Sequence, residues 1–234
     1  MPPQSTIREH VQRVQERIAV ARQKSSGAHH VTLIAVSKMQ PAKSIREAYE
    51  AGVRHFGENR VQEWEGKHPQ LQDLDGIWHL IGHLQSNKTA RAAKSFSHVD
   101  SIDDFDVARR LDAARTELQA AEGMRVLIEV RVSDEVTKTG ADPNALPELM
   151  EKIRALQKLE LAGLMCIPPF LDDQQKVRPY FQRLRAIRDE LSRSTGLSLP
   201  VLSMGMSHDF EVAIEEGATE VRIGTAIFGS RPPR

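Results

Sequence analysis

Two hydrophobic rhythms alternate along this chain. Ile7, Val11, Val14 and Ile18 recur at helical spacing behind Ser5 or Thr6, either of which can cap a helix running to residues 24–27. Residues 31–38 are then an unbroken aliphatic and β-branched run, the mark of a buried strand, closed by Pro41 and a helical pattern over 42–51 that Gly52 stops. An apolar segment at 53–56 leads into Gly57-Glu58-Asn59, after which 59–67 read as helix, 77–81 as a strand closed by Gly82, 86–94 as helix and 96–99 as a short strand. Ser101 with Asp104 predicts a capping box for a helix carrying Phe105, Ala108, Leu111, Ala114 and Leu118, which Gly123 ends. Strands follow at 124–130 and 159–165, separated by a helix that Pro143 opens. Beyond Pro168-Pro169 come a long helix bearing Val177, Tyr180, Phe181, Leu184, Ile187 and Leu191, a strand at 199–203, a helix at 207–216 and a strand at 219–223.

Short apolar strands that alternate with helices imply parallel pairing through right-handed crossovers. Eight such units predict an α/β fold, a single (β/α)8 TIM-type barrel with an extra N-terminal helix. Barrels of this kind take about 250 residues, so the 234 residues here leave no room for a second domain and 1–234 is expected to be one domain. A doubly wound open sheet is the alternative, and no G-x-G-x-x-G follows any strand to support it.

Composition narrows the function classes. The 32 Lys and Arg balance the 32 Asp and Glu, so the overall charge favours neither nucleic acid nor an anionic membrane. Cys166 is the one cysteine, which excludes an internal disulfide. No run approaches the roughly 20 apolar residues of a membrane span. A cytoplasmic protein is the expectation.

In a barrel the C-terminal strand ends meet at one mouth. The residues collected there are Lys38, Glu58, Asn59, His79, Gly82, Asp100, Ser101, Arg131, Ser133, Lys138, Cys166, 203–207 and 222–225, a polar, donor-rich mouth on an aliphatic core. Lys38 ends a buried strand, where it is either solvated or a partly desolvated amine able to form a Schiff base. Ser203-Met204-Gly205-Met206-Ser207 and Arg222-Ile223-Gly224-Thr225 are glycine-containing strand-to-helix turns whose N–H groups and hydroxyls suit a phosphate, where barrels often place one. The plainer alternatives are that Ser207 caps a helix, that Gly224 ends a strand, and that Arg222 forms a buried ion pair with Glu220 or Glu129. An amine, a phosphate cup and an arginine together describe a pyridoxal phosphate (PLP) site. The histidines lack metal-ligand spacing on one element, apart from His79 and His83 around a glycine, so no metal is expected.

Ala35-Val36-Ser37-Lys38, Phe56-Gly57-Glu58-Asn59 with Gln62-Glu63, and Trp78 through Lys88 resemble the pyridoxal phosphate homeostasis proteins. So do Gly163-Leu164-Met165, 203–207 with Asp209, and Arg222 through Gly229. The resemblance implies a barrel like the N-terminal domain of alanine racemase. It implies that Lys38 holds PLP as an aldimine, that Ser207, Gly224 and Thr225 hold the phosphate, and that Arg222 faces the pyridine nitrogen. Asn59, His79 and Ser203 match motif positions bordering the cofactor. Arg131 stands where the family usually has asparagine, Pro232-Pro233 where it often has a tyrosine, and Lys138 matches a family loop lysine.

The function expected is a PLP carrier and buffer in intracellular PLP homeostasis, a monomer with no catalytic residues and with PLP-dependent apoenzymes as recipients. Racemisation needs an acid or base on each face of the substrate, and the only tyrosines, Tyr49 and Tyr180, fall in predicted helices. The rivals are a PLP-dependent amino-acid racemase or decarboxylase and a cofactor-free Schiff-base aldolase.

Overall fold

Helix α1 (Ile7–Lys24) begins at Thr6, whose side chain accepts from the Glu9 N–H while Glu9 accepts from the Thr6 N–H, a reciprocal cap contributing about 1 kcal/mol. The computed structural model describes residues 5–25, 29–133 and 139–229. The face of Val11, Val14, Ile18 and Ala21 is buried, as its spacing requires.

Eight parallel strands close into one barrel in sequence order: β1 (Thr32–Val36), β2 (His55–Glu58), β3 (Ile77–Leu80), β4 (His98–Ile102), β5 (Met124–Glu129), β6 (Leu159–Met165), β7 (Val201–Met206) and β8 (Glu220–Ile223). Strand β1 pairs with both β2 and β8, which completes the ring. Between and after them run α2 (Ala42–Glu50), α3 (Val61–Lys67), α4 (Thr89–Ser95), α5 (Phe105–Glu117), α6 (Leu146–Arg154), α7 (Arg178–Thr195), α8 (Phe210–Glu215) and α9 (Thr225–Phe228). This is the predicted barrel with its leading helix. Helix α1 packs against α2, α8 and α9, and His10 Nδ1 lies 2.8 Å from the Ile227 carbonyl, bracing the last helix.

Several elements differ from expectation for identifiable reasons. Ser101 belongs to β4 and donates to the Gly82 carbonyl at 2.7 Å, while Asp104 alone caps α5 by accepting from the Asp106 and Val107 N–H groups. Helix α8 starts at Phe210, because 207–209 form the turn that carries the site. Three helices are preceded by a 3-10 turn, at 86–88, 143–145 and 174–177.

Most apolar burial lies between the strands and the helices, where Trp64 stacks on Trp78 at 3.9 Å and Trp78 on Phe56 at 4.9 Å. Trp64 Nε1 donates to the Ser95 carbonyl, so this buried indole is satisfied and ties α3 to α4. Inside the barrel the residues differ from the expected aliphatic filling. Leu127, Ala162 and Met165 form a small separate cluster there. Below them His55, His79, His98, Asp100, Arg125 and Glu220 join in one polar layer through side-chain contacts across five strands.

Candidate functional site

Strand β1 delivers Lys38 to the mouth, and the residues on either side of it are fixed. Ser37 is buried and donates through Oγ to Glu58 Oε1 at 2.6 Å, while its N–H pairs with the Gly57 carbonyl. Lys67 Nζ reaches the Ser37 carbonyl at 3.0 Å, the two Glu58 oxygens at 3.1 and 3.3 Å, and Glu63 Oε1 at 2.6 Å. Glu63 also accepts from the Met39 N–H, with Met39 in the left-handed region at φ 62°. Burial pushes the Glu58 carboxyl above the usual range, opposed by Lys67 and Ser37. Glu63 is held below it by its bonds to Lys67 and Met39, which outweigh its partial burial. The clamp thus spans β2 and α3 and grips the backbone on both sides of Lys38.

The opposite wall is built by the turns after β7 and β8. Gly205 has φ 93°, and a Cβ there would lie 2.6 Å from Ala213 Cβ and 2.9 Å from Phe210 Cα, so only glycine fits. Asp209 accepts from the Met206 N–H at 2.6 Å and fixes the turn. Ser207 Oγ accepts from the Gly224 and Ala226 N–H groups at 3.2 and 3.3 Å, which ties the two turns together and leaves its own O–H to donate. A Cβ at Gly224 would meet Val36 only at ordinary contact, 3.5 Å, so packing does not demand glycine there.

Arg222 is buried on β8 and donates to Ser203 Oγ at 2.8 Å and the Cys166 carbonyl at 2.7 Å. Glu220 is paired with Arg125 at 2.6 Å and Glu129 accepts from Thr139, so the two carboxylates that could have neutralised Arg222 are engaged elsewhere. Among the described residues Arg222 has no ion-pair partner. Burial pushes the Cys166 thiol up to about 12, which makes it a small inert hydrophobe.

Lys38, Asn59, Ser207, Arg222, Gly224 and Thr225 line one cavity of ≈ 350 Å³. Ser203 stands behind Arg222, and His79 lies deeper, fully buried in the polar layer of the barrel. Sequence reading missed the apolar wall of Ile81, Ile167 and Phe170, and missed His208, which anchors the Leu171 and Asp172 carbonyls and lies 5.1 Å from the Phe170 ring. Pro168-Pro169, a signal that a chain must turn, was the one available pointer to that wall. Lys138, Pro232 and Pro233 fall outside the described residues. Arg131 pairs with Asp142 at 2.7 Å instead of lining the cavity.

In the polar layer His79 Nδ1 lies 2.8 Å from Asp100 and its Nε2 3.0 Å from His55 Nδ1. Burial lowers the three imidazoles, His55 to about 4, His79 to about 3 and His98 to about 3, and raises the Asp100 and Glu220 carboxyls. His79, Asp100 and Glu220 are close enough to share a metal ion, a grouping the sequence spacing did not reveal. The Arg125 guanidinium, 2.6 Å from Glu220 and 3.9 Å from Asp100, occupies the role of counter-charge.

The donor set suits PLP: an amine at one side of the cavity, hydroxyl and amide donors at the other, and a guanidinium without a carboxylate partner. The cavity is of ligand size. Residues 10–232 match the family model of the alanine racemase N-terminal domain. The pyridoxal phosphate homeostasis protein of Aquifex aeolicus is 46% identical over 224 residues, 95% of this chain and 97% of that protein. That of Pseudomonas aeruginosa is 45% identical over 229 residues, 97% and 96% of the two chains. The solved structure of PipY from Synechococcus elongatus with PLP bound is 41% identical, superposes with a TM-score of 0.80, and is covered over 92% of this chain and 99% of that one.

Proposed function

This chain belongs to the pyridoxal phosphate homeostasis protein family, and from that premise we propose that it binds PLP in the cavity of Lys38 and serves intracellular PLP homeostasis as a carrier and buffer. The observation that carries this reading is the convergence of Lys38, Ser207, Arg222, Gly224 and Thr225 on one cavity from opposite ends of the chain. When bound, PLP supplies an aldehyde that condenses with amines and a ring that withdraws electrons. Lys38 is the amine that links to the aldehyde. Ser207, Gly224 and Thr225 would hold the phosphate, with the Ser207 O–H as a donor, since its Oγ already accepts from the Gly224 and Ala226 N–H groups. Arg222 would face the ring nitrogen, which a guanidinium, having only donors, would keep unprotonated. Asn59 borders the ring, and Ser203 acts through Arg222.

Holding without turnover also fits the walls of the cavity. Tyr49 and Tyr180 lie on α2 and α7 and do not line it. His208 and Asp209 line it but are engaged by loop carbonyls and the Met206 N–H. The recipients in this reading are PLP-dependent apoenzymes of the cytoplasm. No described helix is long and apolar enough to cross a membrane.

The test is reduction of the PLP-loaded protein with borohydride, followed by peptide mapping. The label belongs on Lys38; finding it on Lys43, Lys88 or Lys138 refutes the assignment. Assay across common amino acids should detect no racemisation or decarboxylation, and turnover of about 1 per second or more would make the protein an enzyme.

A further inference from the structure

The loops after β2 and β3 enclose a second cleft, of ≈ 460 Å³, that shares the Asn59 wall with the cavity of Lys38. Its polar lining is Asn59, Arg60, Gln62, His83, Gln85 and Lys88, over an apolar floor of Val61, Leu80 and Leu84, and none of its lining residues is acidic. These are the Gln62 and Gln85-to-Lys88 stretches of the sequence motifs that the cofactor cavity does not use.

Among the described residues the Arg60 and Lys88 side chains of this cleft are uncommitted. Among the described residues neither Arg60 nor Lys88 makes a side-chain hydrogen bond or ion pair. The acids that feel them through space are claimed by other cations: Glu63 by Lys67 at 2.6 Å, and Glu65 by Arg91. His83 is the weaker contributor, since its Nδ1 lies 3.3 Å from the Asp103 carboxylate. Two solvated surface cations alone would mean little. Here they converge with carboxamide donors on a concave, apolar-floored space whose walls are fixed. A Cβ at Gly82 would fall 2.4 Å from the Asn59 carbonyl oxygen and 2.9 Å from Asn59 Cα, so the two loops touch backbone to backbone and have no room to approach further.

We infer that this cleft is a second binding site, for a small oxyanion ligand bearing a carboxylate or phosphate group, seated beside the cofactor cavity across Asn59. Apart from Asn59, which the two spaces share, the claim concerns residues that the cofactor reading does not use, and borohydride labelling of Lys38 reads that cavity separately.

The experiment titrates inorganic phosphate and, separately, succinate into the full chain already saturated with PLP, at constant ionic strength. Amide NMR shifts of Asn59, Gly82 and Gln85 are followed, with calorimetry alongside. Saturable shifts sharing one midpoint are expected. Arg60→Gln/Lys88→Gln should raise the apparent Kd about tenfold or more, the loss of one or two charge-assisted contacts. Arg109→Gln/Arg110→Gln, on α5, should leave it unchanged. Saturation by phosphate alone assigns a phosphoryl group, by succinate alone a carboxylate, and by both an oxyanion of either kind. Linear, non-saturating responses to both anions overturn the inference, as does saturation that the double variant retains with an unchanged Kd. Proton–nitrogen spectra of the variants establish that they are folded, and borohydride labelling of Lys38 in the double variant reports the cofactor cavity independently.

Discussion

Lys67→Met removes the cation of the clamp while keeping most of its volume. Lys67 is only 13% exposed in its side chain, and Glu58 is not exposed at all, so the substitution leaves a carboxylate in the interior without its counter-charge. Breaking a buried pair from one side costs about 3–5 kcal/mol. The lower end applies, because Ser37 Oγ keeps its 2.6 Å bond to Glu58 and the carboxyl can take up a proton. At about 2–4 °C per kcal/mol for a chain of this size, a loss of about 3 kcal/mol lowers the melting temperature by about 6–12 °C. The proton sets the pH signature. A carboxyl whose folded value is raised contributes stability that is present below its unfolded value, about 4.3, and lost as pH rises through the folded value. Removing Lys67 takes away the strongest influence opposing that rise, so the deficit of the variant should be full at pH 8 and shrink towards pH 5. Glu58→Gln/Lys67→Met should recover more than half of it. The assay is urea unfolding followed by circular dichroism at both pH values, with the slope checked for constancy. A deficit below about 1 kcal/mol, a deficit equal at the two pH values, or no recovery in the double variant would refute the reasoning.

Lys38→Ala should lose the visible absorption of bound PLP yet retain the ligand in equilibrium dialysis, because charge-assisted bonds to its phosphate contribute about 1.5–3 kcal/mol apiece. Gly224→Val, in contact range of Val36 and on the cavity wall, should weaken retention more than Lys38→Ala does; the reverse order would move the phosphate cup elsewhere. Gly163→Ala should destabilise severely, since its Cβ would lie 2.0 Å from the Val201 carbonyl oxygen between β6 and β7, and a melting temperature within a degree of wild type would contradict that packing. Cys166 should resist iodoacetamide at pH 8 in the native protein and react once urea unfolds it; labelling at equal rates in both states would contradict its raised thiol. His55, His79 and His98 have depressed folded values, so the stability they contribute is present above about 6.5 and is lost as pH falls towards 4 and 3. Their imidazole resonances should therefore not titrate between pH 8 and 5, and a midpoint near 6.5 for any of them would remove that contribution.

The barrel was readable in the chain because each strand is a local event: residues 159–165, for instance, are apolar enough that the predicted and observed strand coincide. Lys38, Ser207 and Gly224 were readable because topology alone sends strand ends to one mouth. The clamp was not. Glu63 and Lys67 look like an ordinary exposed i,i+4 helix pair, and nothing local says that they reach back to Ser37 and Met39. Ser101 misled for the same reason, since its spacing to Asp104 mimics a cap while its hydroxyl serves Gly82 in the neighbouring loop. The polar layer inside the barrel needs the register of five strands at once: His79 lies opposite His98, His98 opposite Arg125, and Ser203 opposite Glu220.

That layer bears on how the fold responds to temperature. Exposing apolar surface on unfolding raises the heat capacity by about 0.45 cal/K/mol per Å², whereas exposing polar surface lowers it by about 0.26. A barrel filled with valine, isoleucine and leucine adds its whole interior to the first quantity. Here His55, His79, His98, Asp100, Arg125 and Glu220 shift part of it to the second. The heat-capacity increment of unfolding is correspondingly smaller than it would be for the same chain with an aliphatic barrel interior. The curve of stability against temperature is flatter, so that cooling erodes the fold less than it would erode a barrel with an aliphatic interior.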